Sequence, residues 1–215
     1  GAEIGEVGHK NSTVEELHAF MQGYNRLVDE KGIVGISKIS VQTGTSHGGV
    51  VLPDGSIADV KLDIQALEAL SKAARETYGL AGAVQHGAST LPQNAFGNFP
   101  RVETCEIHLA TNFQNIVFDH PQLPKDLHGR VVAWLHENAQ GDKKDGDTEE
   151  QFLYRARKKA IGPFKQEFWD LPEAVRGAMA ADLEKTFAFL FDQLKVNGTA
   201  DLVRQFVDAP HQHHS

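Results

Sequence analysis

The stretch IVGISKISVQTGTSHGG, residues 33–49, is an apolar, β-branched run that ends in His47 followed at once by glycine. The stretch LAGAVQHGAST, residues 80–90, repeats this arrangement with His86. Runs of this composition predict strands that are buried on at least one face. Because a helical pattern lies between them, we expect two parallel strands joined by a right-handed crossover.

A helix is predicted before the first of these runs. Its start has a capping box at Thr13 and Glu16 or, in an equally possible register, at Ser12 and Glu15. Gly32 is a natural C-terminal end for this helix.

Two more strands and a second helix extend the alternation. Residues 2–7 and 105–112 predict strands, and residues 62–79 predict a helix with Asp63 as its N-cap. The first half therefore follows the order β-α-β-α-β-(α)-β, with room only for a short or distorted helix before the last strand. Beyond that strand the sequence predicts helices. We expect an α/β fold with a parallel sheet, followed by a helical region.

The composition excludes several classes of function. The chain has 29 acidic and 21 basic residues, and this net charge of −8 argues against a nucleic-acid-binding surface. No apolar run approaches the roughly 20 residues that span a bilayer. The single cysteine, Cys105, permits no intrachain disulfide, which fits a reducing compartment. We expect a soluble, cytoplasmic protein that binds neither nucleic acid nor membrane.

Histidines lie where the predicted strands end. His47, His86 and residues 108–112 fall at carboxyl ends, the edge at which parallel α/β folds bind ligands. Imidazole and carboxylate are ligands of catalytic zinc, and Glu3 on the first strand is a candidate carboxylate. The alternative is that each histidine is structural, with His108 as a hydrogen-bonded core residue.

Glycines follow both histidines. At Gly48-Gly49 and at Gly87 the backbone N–H groups can approach an anion closely, and the hydroxyls of Ser89 and Thr90 add donors. This pattern predicts a phosphate cradle, with tight strand-to-helix turns as the alternative. Four basic residues further along are predicted to form a solvated helix face rather than a substrate clamp: Arg155, Arg157, Lys158 and Lys159.

Four motifs together resemble a known family. Their order and spacing are similar to those of the last four barrel strands of class II, metal-dependent fructose-bisphosphate aldolases and related ketose-bisphosphate aldolases: AEIGEVG, TGTSHGG, VQHGASTLP and EIHLATNFQ. The resemblance covers residues 1–114 well and the helical remainder loosely. It implies a (β/α)8 TIM barrel, of which residues 1–138 supply the C-terminal half, strands five to eight. Residues 139–215 are then a helical C-terminal extension with a flexible tail.

The resemblance also implies roles for individual residues. His47 and His86 match the metal histidines of the sixth and seventh strands, and Glu3 matches a fifth-strand glutamate that joins the metal site. The implied cofactor is Zn²⁺ or another divalent metal, with a monovalent cation as a further candidate. The residues implied to bind the substrate and its phosphate are Gly48, Gly87, Ala88, Ser89, His108, Ala110 and Thr111.

The implied activity is that of a lyase. It is the aldol cleavage and condensation of a phosphorylated ketose, in which Zn²⁺ acts as a Lewis acid on the ketone oxygen and stabilises the dihydroxyacetone-phosphate enediolate. The resemblance further implies a place in glycolysis or other carbohydrate metabolism, and a homodimer or homotetramer.

The chain departs from the family pattern in its catalytic residues. The family's third metal histidine and its catalytic aspartate form an Asp-His pair on an earlier strand. The only such pair here, Asp119-His120, follows the eighth strand. Four strands cannot close a barrel, and an open half would expose a long edge. We expect the chain to be the C-terminal half of a longer protein, with a second chain as the alternative source of the missing half.

Further departures concern the substrate. His108 replaces an asparagine, Ala110 an aspartate and Ala88 a glycine. Gln151 stands where relatives extend an arginine from a neighbouring subunit, with Arg155 one turn later. These changes predict an altered substrate preference. The alternative function is a barrel that binds metal and sugar phosphate without catalysis, as a binding or regulatory protein, and a plain α/β domain with structural histidines is a third possibility.

Overall fold

The protein is a mixed α/β molecule in which four short strands alternate with helices and a helical region follows. A computed structural model describes residues 2–5, 10–46 and 48–208. The first part contains, in order, β1 (Ala2–Ile4), α1 (Val14–Lys31), β2 (Ile39–Val41), α2 (Ile64–Tyr78), β3 (Ala83–Gln85), α3 (Asn98–Arg101) and β4 (Glu106–Ile107). The rest contains α4 (Thr111–Phe118), α5 (Lys125–Asn138), α6 (Glu149–Ala156), α7 (Lys165–Trp169), α8 (Glu173–Gln193) and α9 (Ala200–Phe206).

The sheet is parallel and its strands follow the chain in the order β1-β2-β3-β4. All three strand pairs are parallel. This arrangement confirms the sequence-based expectation of a parallel α/β sheet. In this order each crossover connection returns the chain to the next position in the sheet.

The helix boundaries agree with the capping signals of the sequence. At the start of α1, the Thr13 side chain accepts a hydrogen bond from the Glu16 backbone and the Glu16 side chain accepts one from Thr13, so this register is the one used. Asp63 accepts from the backbone N–H of Ala66, at 2.9 Å, as the N-cap of α2. Gly32 caps the other end of α1.

Strands are shorter than the sequence predicts, and two of them differ most clearly. The run that begins at Ile33 becomes a strand only at residue 39, because the Ile33 backbone N–H donates to Val28 and thereby belongs to the C-terminal cap of α1. Val34 is 98% exposed. The last strand ends at Ile107, and Thr111 already begins α4. His108 therefore lies just beyond β4 rather than in the middle of a strand.

The main core lies on one face of the sheet. Alternate strand residues such as Ile39, Val41 and Ala83 are buried there against Leu17 of α1 and Leu67 of α2. Because strand side chains alternate between faces, the residues between them belong to the opposite face.

The helical region has a core of its own. Phe118, Leu135 of α5, Phe152 of α6 and Met179 of α8 belong to one buried cluster. This cluster contains residues on both sides of the predicted domain boundary between residues 138 and 139. The boundary itself stays a prediction. The C-terminal residues 209–215, predicted to form a flexible tail, lie outside the described residues.

Within residues 2–5, 10–46 and 48–208, no helix is long and apolar enough to cross a membrane.

Candidate functional site

A row of side chains crosses the sheet on the face opposite the main core. The strand register aligns Glu3 with Ser40, Ser40 with Val84, and Val84 with Glu106. Residues two positions further along a strand lie on the same face. His86 follows Val84 and His108 follows Glu106 at this spacing, so both histidines belong to this face near the carboxyl ends of the strands.

A charged network joins Lys38, the residue before β2, to β4 and to His108. The Glu106 carboxylate accepts a hydrogen bond from Lys38 Nζ and is paired with Nε2 of His108. The hydrogen bond from Lys38, and then that from His108, lower the pKa of Glu106 below its ordinary value. Sequence analysis did not assign Lys38 or Glu106 a role. The signal that could have found Glu106 is its position two residues before His108 on a predicted strand.

The two histidines lie side by side. The ring centroids of His86 and His108 are 4.3 Å apart, with 29° between the ring planes. Both line a cavity of about 530 Å³, which we call the strand-end cavity. The residues that line it are Gly48, His86, Gly87, Ser89, Ile107, His108, Leu109, Ala110 and Thr111.

Hydrogen bonds hold the two strand-end turns together. Thr43 Oγ1 donates to Gln85 Oε1 at 2.6 Å, and Gln85 Nε2 donates to Thr45 Oγ1 at 2.9 Å. Thr45 Oγ1 in turn donates to the carbonyl of His86 at 2.7 Å. The turns approach so closely that a Cβ on Gly87 would stand 3.0 Å from Thr45 Oγ1. The position of His86 is therefore determined by buried polar groups on both strands.

The cavity contains most of the substrate-binding residues that the sequence suggested. Ser89 Oγ accepts a hydrogen bond from the backbone N–H of Ala110 at 2.9 Å, which joins the β3 turn to the segment after β4. Ala88 is completely buried and does not line the cavity, so only its backbone could take part in binding.

Of the three proposed metal ligands, His86 lines this cavity, and the other two are His47 and Glu3. His47 lies outside the described residues, so its prediction is neither confirmed nor contradicted. Glu3 is exposed on β1, two strands away from β3, and does not line the cavity. At about 4.8 Å per strand, its backbone is roughly 10 Å from that of β3.

The helical region is tied to the loop that follows β2. Gln151 Nε2 donates to the carbonyl of Val51 at 2.8 Å, and its Oε1 accepts from the backbone of Thr148 at 3.0 Å. The Tyr154 hydroxyl donates to the carbonyl of Gly48 at 3.1 Å. Gln151 thus has a structural role at the position where the resemblance places an arginine.

The prediction of a solvated helix face is wrong for Arg157. Its guanidinium donates to both oxygens of Asp119, at 2.6 and 3.0 Å, and to Asn115 at 2.6 Å. The Arg157 side chain is only 14% exposed. Asp119, the acidic member of the Asp119-His120 pair, is thereby engaged in an ion pair that joins α4 to the helical region.

Catalytic zinc favours histidine and carboxylate ligands, and among the described residues proposed to hold the metal, His86 lines the strand-end cavity. No group of three or more metal-ligating side chains is assembled among the described residues. His86 therefore fits as one member of a ligand set, to which His47 would add a second imidazole.

The family of the chain follows from a comparison with protein-family models. Residues 1–171 match the model of the class-II fructose-bisphosphate aldolases. The chain belongs to this family. The class II aldolase match extends through the strand-end cavity and α6, so every described residue of the candidate site lies within it.

One solved structure supports the fold. A probable tagatose 6 phosphate kinase from Sinorhizobium meliloti 1021 matches with a TM-score of 0.54 and 16% identity, over 91% of this class II aldolase chain and 54% of that chain. A putative fructose-1,6-biphosphate aldolase from Coccidioides immitis matches with a TM-score of 0.39 and 19% identity, over 74% and 50% of the two chains. The chain thus spans about half the length of these structures. The sequence comparison with curated proteins found no match.

Proposed function

We propose that the protein catalyses metal-dependent aldol cleavage and condensation of a phosphorylated ketose. The observation that carries this proposal is the strand-end cavity. It brings His86, the glycine turns and Ser89 together at the carboxyl ends of parallel strands, in a chain of the class II aldolase family. Ligand sites of parallel α/β folds lie at this edge.

The proposed metal ligands are His47 and His86, with Glu3 as the carboxylate expected from the family resemblance. When bound, Zn²⁺ or another divalent metal supplies Lewis-acid polarisation of the substrate's ketone oxygen. Glu106 holds the ring of His108 next to His86, and Lys38 compensates the charge of Glu106. A monovalent cation is a further candidate for which we assign no ligands.

The proposed phosphate ligands are backbone and hydroxyl groups. Gly48 and Gly87 carry no Cβ that would keep a phosphate away from the neighbouring backbone N–H groups. Ser89 and Thr111 add hydroxyl groups to the same cavity, and Ala110 leaves space where the family resemblance expects a carboxylate. We propose that this space alters which ketose the protein accepts.

A cleavage assay tests the activity. Ketose mono- and bisphosphates are offered to the intact protein, and dihydroxyacetone phosphate or glyceraldehyde phosphate is measured with and without a chelator. We expect chelator-sensitive cleavage of at least one phosphorylated ketose. Absence of cleavage across the whole series would overturn the aldolase proposal.

Elemental analysis tests the ligands separately. We expect His86→Ala and His47→Ala each to lose stoichiometric zinc, because each removes one imidazole from the site. His128→Ala is the matched control, since His128 is an exposed residue of α5 far along the chain from the cavity. Unchanged zinc in both site variants would reject the assignment.

Part of the geometry also favours the alternative of metal and sugar-phosphate binding without catalysis. No carboxylate lines the strand-end cavity among the described residues. His86 and His108 are the titratable side chains that line it, so a carboxylate acting as acid or base would come from elsewhere in the assembled protein. In the cleavage assay, tight substrate binding without turnover would favour this binding or regulatory role.

We further propose that the sheet is half of a (β/α)8 barrel. The helices of the main core pack on one face, while the opposite face carries the row from Glu3 to Glu106. In a closed barrel that face points inward. The proposal predicts an Asp-His pair on an upstream strand of the complete open reading frame. The homodimer or homotetramer and the cytoplasmic location stay predictions.

A further inference from the structure

A second cavity adjoins the strand-end cavity. It has a volume of about 480 Å³, and the two cavities share Gly48 and Thr111. The other side of this second cavity is formed by the segment before α6, by α6 itself and by the turn that follows it. We call it the basic cavity because of the side chains that line it: Lys144, Arg155, Lys158 and Lys159, with Asp142 as the acidic member.

Only part of this positive charge is neutralised. Lys159 Nζ lies 2.7 Å from Asp142 Oδ2, and Arg155 forms an ion pair with Asp147. Neither Lys144 nor Lys158 forms an ion pair with any residue in the described part of the chain. In a protein with a net charge of −8, two unpaired lysines beside one cavity are a local excess of positive charge.

Arg155 adds an unsatisfied donor. Its Nε is buried and has no hydrogen-bond partner among the described residues. A buried N–H without an acceptor is destabilising, so Arg155 keeps unused hydrogen-bonding capacity beside the basic cavity. The hydroxyl of Tyr154, the residue before it, is bonded to the carbonyl of Gly48, so the basic segment is held against the glycine turn.

We propose that the basic cavity binds a phosphate group through this chain's own helical region. Lys144 and Lys158 are its charged ligands, and Arg155 supplies a further donor, since guanidinium and ammonium groups are the usual protein partners of phosphate. Because the two cavities meet at Gly48, one bisphosphorylated ketose can occupy both, with its second phosphate in the basic cavity. This last statement rests on the proposed function.

The sequence alone favoured a solvated helix face for these residues. Lys158 and Lys159 are indeed exposed to solvent. The sequence did not show that they lie beside a cavity. The same cluster faces the turn that carries Gly48, because hydrogen bonds from α6 to the loop after β2 hold it there.

A phosphate titration tests the site. Inorganic phosphate is titrated into the purified protein by calorimetry, and the double variant Lys144→Met/Lys158→Met is compared with wild type. A unit charge about 4 Å from an anion in a solvated setting changes a binding constant about fivefold, so the double variant should bind at least about tenfold more weakly. Added salt should reduce this difference by screening.

Two further variants make the titration specific. Lys72→Met is the matched control, because Lys72 is an exposed lysine of α2 without an ion pair among the described residues, and it should bind phosphate as wild type does. Ser89→Ala weakens binding in the strand-end cavity alone. If the double lysine variant binds phosphate as tightly as Lys72→Met, the basic cavity is not a phosphate site.

Kinetics distinguish the two sources of phosphate. If the second phosphate of the substrate occupies the basic cavity, the double variant raises KM for a ketose bisphosphate about tenfold and leaves KM for a ketose monophosphate unchanged. Weaker phosphate binding with an unchanged KM for the bisphosphate supports a site for free phosphate. If wild type cleaves no phosphorylated ketose, the proposed function fails, and the titration still decides the phosphate site.

Discussion

The glycine pair after His47 provides a prediction in which neighbouring positions respond differently to the same change. Gly48 has φ +79° and Gly49 has φ +74°, so both occupy left-handed backbone conformations. Replacement by alanine costs about 1–2 kcal/mol at either position for the backbone alone. Alanine also restricts the unfolded chain, which offsets part of this cost. This offset is about the same at Gly48 and at Gly49.

The space around the two positions separates them. A Cβ at Gly48 meets only Thr111 Oγ1, at 3.7 Å, which is an ordinary contact. A Cβ at Gly49 would stand 2.8 Å from methyl carbons of both Ile57 and Thr90. Carbon atoms pack at about 3.5–4.0 Å, and forced overlap of this kind costs about 1–3 kcal/mol. Gly49→Ala should therefore be about 1–3 kcal/mol less stable than Gly48→Ala.

Equilibrium urea unfolding, followed by far-ultraviolet circular dichroism, measures this difference. Gly129→Ala is a useful third variant, because Gly129 is an exposed residue within α5 with open space around it. The same added methyl should stabilise the protein there by about 0.5–1 kcal/mol. Equal or greater stability of Gly49→Ala relative to Gly48→Ala would refute the reasoning.

Gly48→Ala carries a second expectation. Its added methyl lies beside Thr111, which lines both cavities, so it should weaken phosphate binding even though the fold tolerates it. The phosphate titration described above measures this effect. Wild-type phosphate affinity in a folded Gly48→Ala protein would argue against the glycine turn as a phosphate ligand.

Three further outcomes are expected. Phe152→Ala should lower the free energy of unfolding by about 3–5 kcal/mol, since Phe152 is fully buried in the second core, and a loss below about 1 kcal/mol in urea would contradict that placement. The pKa of Glu106 is lowered by its hydrogen bonds, first from Lys38 and then from His108, so its contribution to stability is present above about pH 4.3 and is lost as the pH falls through the folded value. Unfolding curves from pH 6 to 3 should accordingly show a shallower loss of stability for Glu106→Gln than for wild type. Burial first, and the charge of Glu106 second, raise the pKa of Cys105, so the pH midpoint of its alkylation by iodoacetamide should lie above that of a free cysteine.

The local structure of the first half could be predicted from the sequence because its signals act over a few residues. The capping box at Thr13 and the cap at Asp63 each satisfy donors within three residues of the chain. The order of strands and helices follows because segments with the apolar pattern of a strand alternate with segments that have the apolar pattern of a helix. The boundary at Ile33 could not be predicted, because a β-branched residue in a helix cap looks in sequence like the start of a strand.

The sequence predicted only those parts of the site that belong to short motifs of neighbouring residues. His86, Gly87 and Ser89 belong to one motif, and Gly48 to another, so their residue types were visible without the fold. The pairing of Lys38 with Glu106 was not visible, because Lys38 precedes β2 and reaches β4 only through the register of the sheet.

The sequence by itself determined that this chain is a parallel α/β protein of the class II aldolase family, since hydrophobic periodicity and short strand-end motifs are local properties. Only the tertiary structure decided the surroundings of those motifs. It stacked His108 on His86, engaged Gln151 as a structural residue and gathered Lys144 and Lys158 around a cavity next to Gly48. These arrangements depend on strand register and on helix packing. Both bring together residues that are tens of positions apart, so they produce no pattern in a short stretch of sequence.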